Sequence, residues 1–247
     1  MIGGAAVDLS FVASRDVILK ESNIASQRTT SAGGVGRNMA ESIARLSSDS
    51  RIVFASVVGN DDDGVQLKRS LQSVGVNVDH VLVSPLHATA TYCSFLSRNG
   101  QLECAMAAMS IFDSVSKPFE LGPVSPSVVL FDCNFSSEFM LRQIQALLSL
   151  NKHLHVWVEP TSQSKAARCV ASLKVGLVYG IAPNETEFDE LQRLTNGTLL
   201  ELVHVVVKKK GAKGVEVFCK NCPSQSFPAP KVEEVGGKRK RRNARVV

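Results

Sequence analysis

Two hydrophobic periods alternate through the second half of this chain, and that alternation limits the available folds more than any other feature. Apolar runs at 127–132, 154–159, 177–182 and 203–208 read as buried strands. Between them, 137–150, 163–173 and 185–194 repeat their apolar residues at helical spacing. A further strand, 215–219, follows the turn Lys210-Gly211-Ala212-Lys213-Gly214. Continuous apolar strands alternating with amphipathic helices predict a parallel sheet covered on both faces, with right-handed crossovers. Such sheets take ligands at the C-terminal ends of their strands.

The first half is less regular. Residues 2–9 read as a short buried strand ending in Asp8. Residues 10–31 are polar and predict irregular chain, with a short strand near 17–20. Then comes Ala32-Gly33-Gly34-Val35-Gly36-Arg37-Asn38-Met39-Ala40. Its glycines allow close backbone approach and left-handed torsions. Met39, Ile43 and Leu46 start an amphipathic helix behind them. A glycine turn opening a helix aims free N–H groups at a small polar ligand, and Asn38 adds a side-chain donor. An ordinary tight loop is the competing reading. Residues 51–58 read as a strand running into Gly59-Asn60-Asp61-Asp62-Asp63-Gly64. A helix with Leu67, Leu71 and Val74 on one face follows, then a strand at 78–83. Segments 90–96 and 101–106 flank Asn99-Gly100, which predicts a hairpin that interrupts the alternation as a flap. Asp8, Asp61, Asp132, Glu159 and Asn184 fall at or just after strand ends, and together they predict a polar cleft.

The net charge of +5 is concentrated in one place, because residues 238–247 carry six basic side chains and no acid. The rest is near neutral, which argues against a nucleic-acid-binding face. No apolar run approaches the ~18 residues of a membrane span. With no basic-then-apolar leader after Met1, a cytoplasmic protein is expected. The basic tail is expected to be disordered, with nuclear import as one possible use. The six cysteines read as reduced thiols. Cys219-Lys220-Asn221-Cys222 is a lone C-x-x-C, a weak indication of metal.

Taken in order, these motifs resemble the ribokinase-like (PfkB) family of carbohydrate and nucleoside kinases. Gly33-Gly34 with Asn38 is similar to its first signature, Gly59–Gly64 to its G-x-D-x-x-G element, and Pro183-Asn184-Glu185-Thr186-Glu187 to its N-x-x-E motif. Residues 210–214 resemble the loop that approaches the nucleotide. Within the family, residues 33–41 and Glu159-Pro160-Thr161 are most similar to pseudouridine kinases, although many sugar kinases carry Asp-Pro where Glu159-Pro160 stands.

The resemblance implies a three-layer α/β/α fold with a mainly parallel sheet and a small β lid. One kinase domain would span 1–235, with its lid at about 10–31 and 84–112, and 236–247 would be the tail. It implies ATP-dependent phosphorylation of a sugar or nucleoside hydroxyl. Asp8, Gly33, Gly34 and Asn38 would bind the substrate. Lys209, Gly211 and Gly214 would approach ATP, and Asn184 and Glu187 would act on Mg²⁺ through waters. The lid could also pair two copies as a homodimer.

The family's second signature, Asp-Thr-x-Gly-Ala-Gly-Asp, supplies its anion hole and general base. Gly236-Gly237 does not match it, since no Asp follows, and Glu233 or Glu234 is a remote substitute. No catalytic residue is therefore assigned. The expectation is a chain that lacks the family's C-terminal elements and is inactive. The alternative is a non-catalytic sugar- or nucleoside-binding or regulatory variant. A dinucleotide enzyme is set aside, because Gly33–Gly36 and the residues after them do not give G-x-G-x-x-G.

Overall fold

A computed structural model describes residues 1–18, 20–47, 51–122 and 126–230. The basic tail and Glu233 and Glu234 lie outside the described residues. The chain divides into two compact units, Met1–Gly122 and Pro123–Val247.

In the first unit, strands β1 (Ala6–Ala13), β2 (Ala25–Gly33), β3 (Val53–Gly59), β4 (Asn77–Ser84), β5 (Thr91–Leu96) and β6 (Leu102–Ala108) accompany helices α1 (Val35–Leu46) and α2 (Asp62–Gln72). Four strands form one sheet in the order β2-β1-β5-β6. In it β1 runs antiparallel to β2 and parallel to β5, and β5–β6 is the hairpin signalled by Asn99-Gly100. Separately, β3 pairs in parallel with β4, and Ile2 bridges to Ala55. Phe54, Val58, Leu67, Leu71, Val76, Val78 and Val81 fill the core, with Val7 and Ala40 against them.

Three expectations fail here. The first strand does not end at Asp8: β1 continues to Ala13, and Asp8 sits within it opposite Ser31 and Tyr92. Residues 25–33 are a strand, not irregular chain. β2 is exposed almost throughout, so its sequence needs no apolar alternation; its ladder with β1 satisfies the backbone instead. Among the described residues near 17–20 no strand forms: the Asn23 side chain bonds both the N–H and the carbonyl of Ile18, and Lys20 has φ 66°. Residue 19 lies outside the described residues.

In the second unit, β7 (Val128–Asp132), β8 (His155–Glu159), β9 (Gly180–Ile181), β10 (Val205–Lys209), β11 (Val215–Cys219) and β12 (Cys222–Phe227) form a sheet in the order β12-β11-β10-β9-β8-β7. β7 to β10 are mutually parallel, as the alternation predicts, while β11 and β12 add antiparallel strands at one edge. Helices α3 (Ser137–Leu150), α4 (Val170–Lys174), α5 (Glu185–Leu194) and α6 (Leu199–Leu202) lie between strands. Phe131, Phe135, Phe139, Met140 and Ile144 are fully buried.

The helix expected over 163–173 starts late. Lys165 N–H bonds both oxygens of Ser162, a tight turn that gives way to a 3₁₀ segment, Ala166–Cys169, before α4. β9 shrinks to two residues; beside it the Trp157 ring lies so close to Gly180 that a Cβ there would be 2.6 Å from it. Among the described residues no helix is long and apolar enough to cross a membrane.

Candidate functional site

Each unit carries its own group of polar residues. In the first unit, Gly33 ends β2 with its Cα against the Asp8 carboxylate, and a Cβ at that position would overlap the carboxylate atoms. Gly34 follows with φ 92°, where a Cβ would come within 2.5 Å of the Gly4 carbonyl oxygen and 2.8 Å of Ala5 Cα. Only glycine fits both constraints at Gly34. The two glycines thus let β2 turn into α1 directly beside Asp8. Burial raises the Asp8 pKa above the usual carboxylate value, and the Arg37 charge works against that rise.

Arg37 is a residue that motif reading missed. It is 6% exposed, forms an ion pair with the equally buried Glu41, and donates to Asn38 Oδ1 at 2.8 Å. Glu41 also accepts from Arg45 at 2.8 Å. The spacing Arg37, Glu41, Arg45 at successive fours was a readable signal for a helix-face ion network. With its oxygen held by Arg37, Asn38 offers its amide nitrogen as the donor of that side chain. Asp8 and Gly33 are therefore in direct association, Gly34 packs against the backbone of Gly4–Ala6, and Asn38 is held at the first turn of α1.

Asp61 is different. It caps α2 by accepting from Gly64 N–H at 2.8 Å, and it takes the Thr89 N–H at 2.8 Å and the Thr89 hydroxyl at 2.5 Å. Gly59 N–H donates to the same hydroxyl at 2.9 Å. Gly59–Gly64 is thus a structural joint, and its carboxylate is consumed inside it rather than open to a cleft.

In the second unit, Glu159 ends β8 and pairs with Lys209, at the end of β10, with N···O 2.5 Å. Burial raises the Glu159 pKa; Lys209 lowers it, and the nearby Glu187 charge raises it. Asn184 and Glu187 form a capping box at α5: Asn184 Oδ1 accepts from Glu187 N–H at 2.9 Å, and Glu187 Oε2 accepts from Asn184 N–H at 2.8 Å. Asn184 bridges to Lys209, whose N–H donates to the Pro183 carbonyl at 2.7 Å. Glu159, Asn184, Glu187 and Lys209 therefore gather at the C-terminal ends of β8, β9 and β10.

A second network was not legible in the sequence. Asp132 is fully buried and accepts from Asn134 N–H at 3.0 Å and from its side-chain amide at 2.9 Å. Lys165 donates to Asn134 Oδ1 at 2.5 Å, and Arg168 donates to the Asn134 carbonyl. These partners lie 31 and 34 residues apart, beyond any local spacing rule.

The donor sets decide what could be held. Among the described residues no group of three His, Cys, Asp or Glu could hold a metal ion. The inner oxygens of Asn184 and Glu187 are engaged in the capping box. What they fit is a Mg²⁺ ion that keeps its waters, while the neighbouring Glu159 charge is met by Lys209. The turn of Gly211 and Gly214 spends much of its own backbone: the N–H groups of Lys210, Lys213 and Gly214 bond carbonyls within the turn. A phosphate here would meet lysine side chains more than a ring of free N–H donors.

The pfkB family carbohydrate kinase model matches residues 1–235. Pseudouridine kinase of Escherichia coli (strain K12) is 28% identical over 196 residues, which are 77% of this chain and 59% of that protein. The chain thus spans less than two thirds of that relative's length. The Methanocaldococcus jannaschii nucleoside kinase structure, described as an archaeal member of the ribokinase family, superposes with TM-score 0.76 at 18% identity, covering 96% of this chain and 77% of that one. Arabidopsis thaliana ribokinase, solved with ribose and ATP, gives TM-score 0.74 at 19% identity, covering 92% of this chain and 76% of that one. These likenesses establish the ribokinase-like α/β fold that the alternation of strands and helices predicts. With nearly the whole chain matched by one family model, the protein belongs to the pfkB family of carbohydrate kinases.

Proposed function

We propose that this chain serves ATP-dependent phosphorylation of a hydroxyl group on a sugar or nucleoside, with a pseudouridine-type nucleoside as the preferred substrate. The observation that carries the reading is the Asp8–Gly33 contact, a half-buried carboxylate flanked by backbone that has no room for a side chain. An ionised carboxylate accepts from two hydroxyls at once, and bare glycine backbone lets a flat sugar ring lie close. Asn38 holds a further hydroxyl through its amide nitrogen. The β2-β1-β5-β6 sheet acts as the lid and excludes water from the reacting hydroxyl.

MgATP supplies the transferable phosphoryl group when bound. Asn184 and Glu187 hold the waters of the ion, and Lys209, paired with Glu159, faces the phosphates with the Gly211–Gly214 turn. The resemblance of residues 33–41 and of Glu159-Pro160-Thr161 supports the nucleoside preference, as does the 28% identity to the bacterial pseudouridine kinase.

Separate calorimetric titrations of the 247-residue chain with pseudouridine, ribose and ATP test the reading. Saturable pseudouridine binding that Asp8→Asn weakens about tenfold or more supports it, in line with the loss of charge-assisted hydrogen bonds. Absence of any sugar or nucleoside binding by a folded chain overturns it. A second reading is a binding or regulatory protein without turnover. It is favoured by the Gly211–Gly214 turn, where the N–H groups of Lys210, Lys213 and Gly214 bond carbonyls of the turn itself rather than facing a phosphate. Pseudouridine binding with no ATP-dependent product selects the second reading; phosphorylated product selects the first.

A further inference from the structure

Strands β11 and β12 are joined by a two-residue turn, Lys220-Asn221, and the residues flanking it are Cys219 and Cys222. The ladder places these two cysteines directly opposite each other. Residues opposite in an antiparallel pair have Cα atoms about 4.5–5.5 Å apart. A disulfide spans roughly 4.4–6.8 Å between Cα atoms, so the backbone is already at bonding distance. Partial burial and then the neighbouring Cys222 thiol raise the Cys219 pKa. Both are free, Cys222 is exposed, and Cys219 is half-buried.

The other cysteines lack this combination. Cys133 and Cys169 neighbour each other but are fully buried. Cys93 and Cys104 lie on adjacent strands opposite Met106 and Phe95, so neither faces a thiol in register. Among the described residues, Cys219 and Cys222 form the cysteine pair that is both in register and reachable by solvent.

We propose that Cys219 and Cys222 are a reversible dithiol–disulfide site, oxidised by a peroxide-class reagent, that staples edge strand β12 to β11. The exposed Cys222 sulfur attacks one peroxide oxygen and becomes a sulfenic acid as the first water leaves. The Cys219 sulfur then displaces the hydroxyl of that sulfenic acid; its proton leaves with the hydroxyl as the second water, and the S–S bond forms. Two thiols and one peroxide give one disulfide and two waters. The product constrains a strand that is exposed along its whole length and otherwise tied to the sheet by one ladder. The end of β12 abuts the β10–β11 turn, where a Cβ on Gly214 would overlap the Phe227 carbonyl. The proposal stands independently of the kinase reading.

Trypsin provides a direct test, because it cuts after Lys220, between the two cysteines. The reduced full chain is treated with hydrogen peroxide, alkylated and digested. The expected result is the two flanking fragments held together, two hydrogens lighter than their sum, and released by dithiothreitol. Cys219→Ser and Cys222→Ser each abolish the joined species. Amide exchange across Ser224–Phe227 is expected to slow several-fold on oxidation and to recover on reduction. Separate fragments after oxidation overturn the proposal, as does a Cys222 that stops at the sulfinic acid. Zinc that co-purifies with the chain and protects both thiols from peroxide also overturns it, in favour of a metal site.

Discussion

The Asp61 carboxylate holds Thr89 at two points, its backbone N–H at 2.8 Å and its hydroxyl at 2.5 Å, while also capping α2 through Gly64. One side chain thus joins β3, α2 and the segment entering β5. Asp61→Ala leaves the Thr89 and Gly64 donors without their acceptor and is expected to cost about 1–3 kcal/mol. Urea unfolding measures it. Thr89→Ser, which keeps the hydroxyl, is expected to cost less than Thr89→Val.

The same joint has a pH signature. Burial works to raise the Asp61 pKa, but the bonds from Thr89 and Gly64 outweigh it and hold the carboxyl below its usual value. A lowered folded-state value means stability that is present above the unfolded value of about 3.9 and is lost as pH falls through the folded value. Acid unfolding of the wild type is expected to flatten at low pH in Asp61→Asn. Identical acid limbs for the two proteins would remove Asp61 from that transition.

Asp8 has the opposite sign. Burial raises its folded-state value despite Arg37, so its contribution to stability is present below the unfolded value and is lost as pH rises through the folded one. Ligand binding, which needs the ionised form, is expected to strengthen over that same rise. A pseudouridine titration series from pH 4 to 7 measures this, and Asp8→Asn is expected to flatten the profile. Gly33→Ala, whose methyl group would displace the carboxylate, is expected to weaken binding about tenfold or more while the chain stays folded.

Lys209→Met leaves Glu159 partly buried without its cation. The expected cost is about 2–4 kcal/mol, toward the lower part of the range for broken buried pairs because both side chains keep some solvent contact. Glu159→Gln on top of it is expected to recover part of that loss. A double-mutant cycle in denaturant measures the coupling, and additive effects would show that the pair contributes little.

Asn184→Ala removes the cap of α5 and is expected to cost about 1 kcal/mol. Glu187→Gln keeps an oxygen for the Asn184 N–H but removes a charge. It is therefore expected to spare most of the stability and to weaken Mg²⁺ binding, read by calorimetry with magnesium chloride.

Elements that carry their own start signals were readable from sequence. α3 begins after Ser136, which accepts from Phe139 N–H, and α5 begins at the Asn184–Glu187 box; both occupy the expected residues. β2 and β12 were not readable, because polar strands exposed at sheet edges show no hydrophobic period and are defined only by the partner they pair with. The same distinction divides the site residues. Gly33, Gly34 and Asn38 belong to one local stretch, and so do Asn184 and Glu187. The engagement of Asp61 by Thr89 and the Asp132–Asn134–Lys165 network depend on residues about thirty positions apart.

β12 ends the sheet order, and its outer backbone faces away from β11. A bare strand edge of this kind can template addition of a strand from another molecule, the first step of aggregation. The sequence of β12 counters that risk. Pro223 lacks an N–H, the register breaks between Val217 and Cys219, and Ser224, Gln225 and Ser226 give an arriving strand little apolar surface to bury. The composition that concealed β12 in the sequence is therefore also what keeps this edge from recruiting copies of the chain.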